Sequence, residues 1–277
     1  MAKNKNKGGE MSFLDHLEEL RWLLVRSTTA ILIGGIVAYI FSSFIFDHIL
    51  FAPKKSDFIT YRFFCEMANK YDLDKSFCVT EIPFELINRD MEGQLNTDIW
   101  TSITAGFIAV FPYILYLFWR FISPALYEKE RKLAVWFILG TSLLFFLGVL
   151  FGYYLIMPLS INFLANYKIS EVVQNNIDLD SYLSLIKTTV IACGLVFELP
   201  IVIYFLAKVG IVSAAFLRKY RRYAYVIILI IAAIVTPPDV ISQTIVTIPL
   251  VILYEASILI AARMNKAKAK LEAENNG

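Results

Sequence analysis

The residues best placed to do chemistry are carboxylates and guanidinium groups set among apolar neighbours. In Ser12–Leu24, SFLDHLEELRWLL, Phe13, Leu17, Leu20 and Leu24 recur at helical spacing and form one apolar stripe. Ser12, with Asp15 three residues on, reads as a helix start. The polar side of the same helix carries Asp15, Glu18 and Glu19, followed by Arg21. A helix at the cytoplasmic membrane surface is ordinarily basic, because that leaflet is anionic. Acids held there are unfavourable unless a cation docks on them. The residues alone leave two readings open: a short amphipathic helix leading into the membrane, or a docking site for a cationic ligand.

A second charged group lies in RFISPALYEKERK, Arg120–Lys132, where Pro124 breaks the chain and Glu128 and Glu130 sit among Lys129, Arg131 and Lys132. A solvated loop accounts for the charges. Crowding by Phe118, Trp119, Phe121 and Tyr127 adds an apolar shelf beside the carboxylates. Such a shelf suits a peptide that carries arginines next to hydrophobic residues, because guanidinium binds carboxylate in a fixed, charge-assisted geometry. A third candidate is Glu198, in VFELPIVIYFL. A carboxylate near mid-membrane costs roughly 2.5–3.5 kcal/mol, so it is expected to face the bundle or a wet cavity. It is either a structural glutamate or a polar contact for a substrate or a partner's transmembrane helix. The fourth is TPPDVISQ, Thr236–Gln243. Its two prolines force a rigid turn. Asp239 can cap the following helix, with Gln243 one turn on along the same face. Capping alone explains that pair.

These groups are carried by a chain built to cross a bilayer. Of its 277 residues 58% are hydrophobic and only 18% are charged, against about 45–50% and about 25% in soluble domains. The excess lies in runs near the length of about 20 apolar residues that a span needs. The reading is an all-α polytopic membrane protein with six spans, at about Leu23–Leu50, Ile99–Ile122, Leu133–Phe163, Tyr182–Val209, Tyr223–Val235 and Val240–Ala262. The fifth is short, about 20–23 Å of helix against about 30 Å of hydrocarbon. It crosses only where the bilayer thins or its neighbours shield its ends.

Basic residues set the orientation. Lys3, Lys5, Lys7 and Arg21, Lys129, Arg131 and Lys132, Arg218, Lys219, Arg221 and Arg222, and Arg263, Lys266, Lys268 and Lys270 all fall on one side, while the short loops opposite hold only Lys168. By the positive-inside rule both termini are expected in the cytoplasm. The domain reading is then a disordered N-terminus over 1–11, a six-helix domain over 12–262 with a long outside segment at about 51–98, and a cytoplasmic tail over 263–277. The opening residues are polar and show no cleavable signal peptide. The outside segment holds Cys65 and Cys78, which an oxidising compartment would allow to pair and which otherwise remain free thiols. Cys193 reads as a small packing residue. With only His16 and His48, a histidine metal site is not expected. The basic clusters act as topology signals and do not suggest nucleic-acid binding.

The segments FLDHLEELR, FISPALYEKERK, FGYYLIMPLSINFL, SYLS, FELPIVIYFL and TPPDVISQ occur in this order. Together they resemble the TatC family, over about Ser12–Ala262. The resemblance implies a concave six-helix bundle in the bacterial inner membrane, with no enzymatic activity and no cofactor. It implies export of folded proteins driven by the proton-motive force. Glu19 and Arg21, with Phe121, Glu130 and Arg131, match positions that shape the family's twin-arginine signal-peptide site, its two glutamates pairing with the arginines. Glu198 matches an embedded glutamate implicated in contact with single-span TatA- and TatB-type partners. Pro53 matches the proline after the first span, Asp178 the acid before the fourth, and Asp239 with Gln243 the final turn. The resemblance also implies a homo-oligomer within the complex. The outside segment, longer than usual for the family and carrying the cysteine pair, is the departure.

Two rival classes remain at this stage. A secondary transporter could use Glu198 as an ion site, but such folds usually show internal repeats and broken helices in matching positions, and neither is visible. An intramembrane protease would need a Ser/His, paired-Asp or HExxH arrangement at membrane depth.

Overall fold

A computed structural model describes residues 13–72, 78, 82–122, 134–170, 175–236 and 240–275. Helix α1 (Phe13–Ile40) runs without a break from the acidic segment through the first apolar run. It is thus one continuous helix and not a surface helix joined to a span. Past Phe41 the chain continues helically as Ser42–Phe44, widens into a π-helical turn over Ile45–Leu50, and ends in a 3-10 turn at Ala52–Lys54. Helix α2 (Ile59–Lys70) and strand β1 (Glu85–Ile87) follow, then helix α3 (Gly93–Ile122). The third apolar run is α4 (Ala134–Phe151), a π-helical turn at Gly152–Ile156, and α5 (Met157–Asn166). After strand β2 (Asn176–Asp178) come α6 (Leu179–Phe197) and α7 (Leu199–Val209), then α8 (Ala214–Lys219), α9 (Arg221–Val235) and α10 (Val240–Asn275).

Among the described residues five helical segments are long and apolar enough to cross a membrane: His16–Ile40, Gly93–Ile122, Phe137–Asn166, Leu179–Ala207 and Gln243–Asn265. The stretch expected as the fifth span forms helix α9, whose 15 residues fall short of the about 20 that a span needs, and it is not among those five segments. Helix α10, at 36 residues, is about 54 Å long and runs well past Ala262. The expected tail over 263–277 is therefore helical as far as Asn275, because NKAKAKLEAEN is rich in strong helix formers.

Prolines and glycines decide where the helices break and where they touch. Gly210, with φ 88°, ends α7 in the left-handed conformation that a side chain resists. The Ser213 hydroxyl accepts from the Phe216 amide at 3.1 Å and starts α8. Helices α1 and α3 approach closest at Gly34, Gly35 and Gly106, where a Cβ on Gly106 would lie 2.3 Å from the Gly35 nitrogen. Small residues allow such contact between membrane helices. Helices α4 and α6 do the same at Gly148, whose added Cβ would meet the Cys193 carbonyl oxygen at 2.6 Å. Cys193 is buried there.

The 51–98 segment departs from the all-α expectation by one small element. Strands β1 and β2 pair in parallel, Glu85 with Asn176, Leu86 with Ile177 and Ile87 with Asp178. Cys65 in the middle of α2 and Cys78 are joined in a disulfide, Cα atoms 4.5 Å apart. Hydroxyl groups lock α2 and the end of the first span onto the third and fourth. Thr60 donates to the Tyr154 carbonyl, which Pro158, four residues on, has no N–H to bond. The Tyr61 hydroxyl lies 3.0 Å from the Pro53 carbonyl and 2.9 Å from that of Pro158. Tyr153 donates to Ile49 at 2.7 Å and Tyr182 to Leu50 at 2.8 Å. Burial pushes the Tyr61 phenol well above its ordinary value, so it stays a neutral donor.

The glycine contact is testable. Gly106→Ala forces a methyl into the α1 backbone, at about 1–3 kcal/mol for overpacking, whereas an added Cβ at Gly140 meets nothing within 4 Å. Thermal unfolding in detergent should show a clear drop in melting temperature for Gly106→Ala and none for Gly140→Ala.

Candidate functional site

At the N-terminal end of α1, Glu18, Glu19 and Arg21 are exposed. The His16 ring stacks on Phe121 with centroids 4.4 Å apart and planes 23° from parallel. That contact brings the acidic start of α1 against the last turn of α3, which holds Arg120 and the half-buried Phe121. Among the described residues neither Glu18 nor Glu19 has an ion-pair partner. The surface so formed is a carboxylate edge beside an aromatic shelf. Glu130 and Arg131, expected to complete it, lie outside the described residues, as does Asp239.

Glu198 stands in the break between α6 and α7, where Pro200 interrupts the helix. It is buried, and its Oε1 has no hydrogen-bond partner among the described residues. Phe197 beside it belongs to the core cluster that also holds Cys193, Ile203 and Ile258. A buried polar atom without a partner is uncommon. Within a membrane span it marks a place where a polar group from elsewhere would be stabilising.

Gln243 starts the last span, half-buried, and its Nε2 donates to the Leu229 carbonyl at 3.3 Å, joining α10 to α9. The start of α9 is held by a cluster that sequence reasoning missed. Arg221 forms an ion pair with Glu255, and the Tyr225 hydroxyl donates to the other Glu255 oxygen at 2.6 Å. Glu255 was detectable as an acid within the last apolar run. Its partner, 34 residues away, was not. The same holds for His16, noted only as a poor metal ligand, and for Lys187, a half-buried cation inside α6.

Pro53 is fully buried and offers its carbonyl to Tyr61. Asp178 closes β2 at the entry to α6, and its side chain makes no capping bond. The acid that links to a neighbouring helix there is Asp180, which accepts from Thr97 Oγ1 at 3.3 Å. No cluster of metal-ligating side chains occurs among the described residues. The arrangement is suited to recognition by charge and shape at one end and to polar contact inside the membrane at the other.

Long apolar helices, glycine-mediated packing and a buried glutamate at a helix break define a multi-pass α-helical membrane protein. Residues 15–249 match the model of the Sec-independent protein translocase protein (TatC) family. The chain is 44% identical over 265 residues to TatC of Blattabacterium from Periplaneta americana, covering 95% of this chain and 100% of that protein. It is 35% identical over 263 residues to TatC of Aquifex aeolicus, covering 95% and 99%. The fold matches the crystal structure of the twin-arginine translocase receptor TatC in DDM with a TM-score of 0.69 and 36% identity, over 89% of this chain and 99% of that one. The chain belongs to the TatC family.

The Glu255 cluster gives a prediction. Its ion-paired side chains are 44% and 34% exposed, so the pair contributes at most about 1 kcal/mol. Glu255→Ala and Tyr225→Phe should each lower the melting temperature in detergent. The double variant should fall no further than Glu255→Ala alone, since both remove the same contact.

Proposed function

We propose that this chain is the signal-peptide receptor subunit of a twin-arginine translocase in a bacterial inner membrane, with both termini in the cytoplasm and α9 as a short fifth span of six. The observation that carries the reading is the stack of His16 on Phe121, which joins an acidic helix end to an aromatic shelf in a chain of the TatC family. Paired arginines of a signal peptide dock on Glu19 and on Glu130 of the first cytoplasmic loop, with Arg21, Phe121 and Arg131 shaping the site. Guanidinium and carboxylate form charge-assisted, directional bonds, so two carboxylates can read two adjacent arginines. The hydrophobic part of the signal peptide then lies along the concave surface of the bundle.

The unpartnered carboxyl of Glu198 supports a second contact. A polar residue on the transmembrane helix of a TatA- or TatB-type subunit would satisfy it, and Asp239 and Gln243 are further polar residues proposed for the partner contact. Several copies of the chain assemble in the working complex. The short α9 leaves the adjoining bilayer thin, which lowers the barrier to passage of a folded cargo driven by the proton-motive force. A secondary transporter is the alternative, with Glu198 as an ion site. Proteoliposomes holding only this protein should show no solute flux if the receptor reading is right.

Photo-crosslinking of a twin-arginine signal peptide to the protein in membranes tests the site. The crosslink should require both arginines and should be lost in Glu19→Ala and in Glu130→Ala. Absence of an arginine-dependent crosslink in the wild type would remove the receptor reading. A crosslink untouched by either substitution would move the site elsewhere.

A further inference from the structure

Helix α2 has two faces. Thr60, Tyr61 and Ala68 are buried against the protein. On the other side Ile59 is 64% and Phe63 57% exposed, one helical turn apart, with exposed Arg62 between them. The exposed face changes character along the helix, continuing as Glu66, Asn69 and Lys70. Only its first turns present large apolar groups.

Those turns are fixed against one particular residue. The Thr60 hydroxyl donates to the Tyr154 carbonyl, and the Phe58 ring stacks on the Tyr154 ring with centroids 5.8 Å apart. Tyr154 ends a stripe of exposed residues on the third span formed by Leu139, Leu143, Leu147 and Leu150. Their spacing of three and four residues places them on one helix face, which in a membrane span is the face that meets lipid. About 26 Å of helix separates Phe137, where that span begins, from Tyr154. The hydrocarbon layer is about 30 Å thick. Tyr154 therefore lies close to the far boundary, the level at which tyrosine and tryptophan ordinarily gather.

We infer that the first turns of α2 are seated in the outer headgroup layer of the membrane. Ile59 and Phe63 enter the acyl boundary, and Arg62, with exposed Lys55, lies against lipid phosphate. This rests on the proposed topology, in which the 51–98 segment is outside. The lipid stripe of the third span runs directly into the apolar start of α2, and the cations beside it complement phosphate, which together point to a phospholipid surface as the occupant. The polar second half of α2 stays in water. The disulfide at Cys65 and the hydroxyl network then tie the outer segment to a helix held at a set depth.

The test is photo-crosslinking in the full-length protein in nanodiscs, with p-benzoylphenylalanine replacing Ile59, Phe63, Glu66 or, as a lipid-facing reference, Leu147. Positions 59, 63 and 147 should form phospholipid adducts detectable by mass spectrometry, and position 66 should not. Absence of adducts at 59 and 63 while 147 reacts, or crosslinks from 59 and 63 to protein, would overturn the inference. In discs enriched in anionic phospholipid, Arg62→Glu should lower the yield at position 63 by about threefold or more, and an unchanged yield would overturn the phosphate contact. Signal-peptide binding in the same discs reports the receptor reading separately, so its retention alongside lost adducts would remove the lipid contact alone.

Discussion

The bilayer interior offers no water, so every polar group placed there must find its partner within the protein. Each proline in a span removes one backbone donor and leaves a carbonyl four residues back in need of another. At Pro158 that carbonyl belongs to Tyr154, and Thr60 from the 51–98 segment supplies the donor. Tyr61 lies against the Pro53 and Pro158 carbonyls, and Tyr153 and Tyr182 reach carbonyls at the end of the first span. The 51–98 segment is thus more than a connection between spans. It completes the hydrogen bonding of helices that end or widen at prolines, and its disulfide and short strand pair hold it in place to do so.

The two ends of the molecule differ for this reason. The end that holds α2 is dense in phenols and hydroxyls bonded to backbone, and its core of Met157, Ile161, Tyr182 and Leu183 is closed to solvent. At the opposite end the charges of α1 are exposed, and the stack of His16 on Phe121 ties that region to α3. A receptor for a charged peptide needs that asymmetry. Carboxylates already paired internally would have to break bonds before binding, whereas exposed ones exchange water for guanidinium.

The C-terminal part of the chain meets the same constraint through contacts between helices. Helix α9 is short, and polar contacts hold it at its start, Arg221 and Tyr225 to Glu255, and near its middle, Gln243 to the Leu229 carbonyl. Glu198 is buried at a helix break with one oxygen unpartnered, as are the hydroxyls of Ser27, Thr101, Ser142 and Ser160 among the described residues. Of these it alone is a carboxyl, the group most costly to leave unpaired in hydrocarbon, so it is the position where a polar partner from outside the chain would stabilise most.

What could be read from the residues in order was whatever depends on local composition. Apolar runs locate spans because burial in lipid needs a fixed length of helix, and α9 stood out as short for the same reason. Glu198 was conspicuous because a charge in an apolar run is expensive wherever the helix lies. The ordered segments from FLDHLEELR to TPPDVISQ were enough to suggest the family. Contacts between distant residues were decided only by the tertiary structure. Nothing local to His16 says that it stacks on Phe121, nothing local to Arg221 names Glu255, and nothing in β1 points to β2. The continuation of α10 beyond Ala262 and the break at Glu198 lie between these cases. Helix-forming residues and Pro200 signalled them, but apolar periodicity, which tracks burial and not backbone geometry, could not.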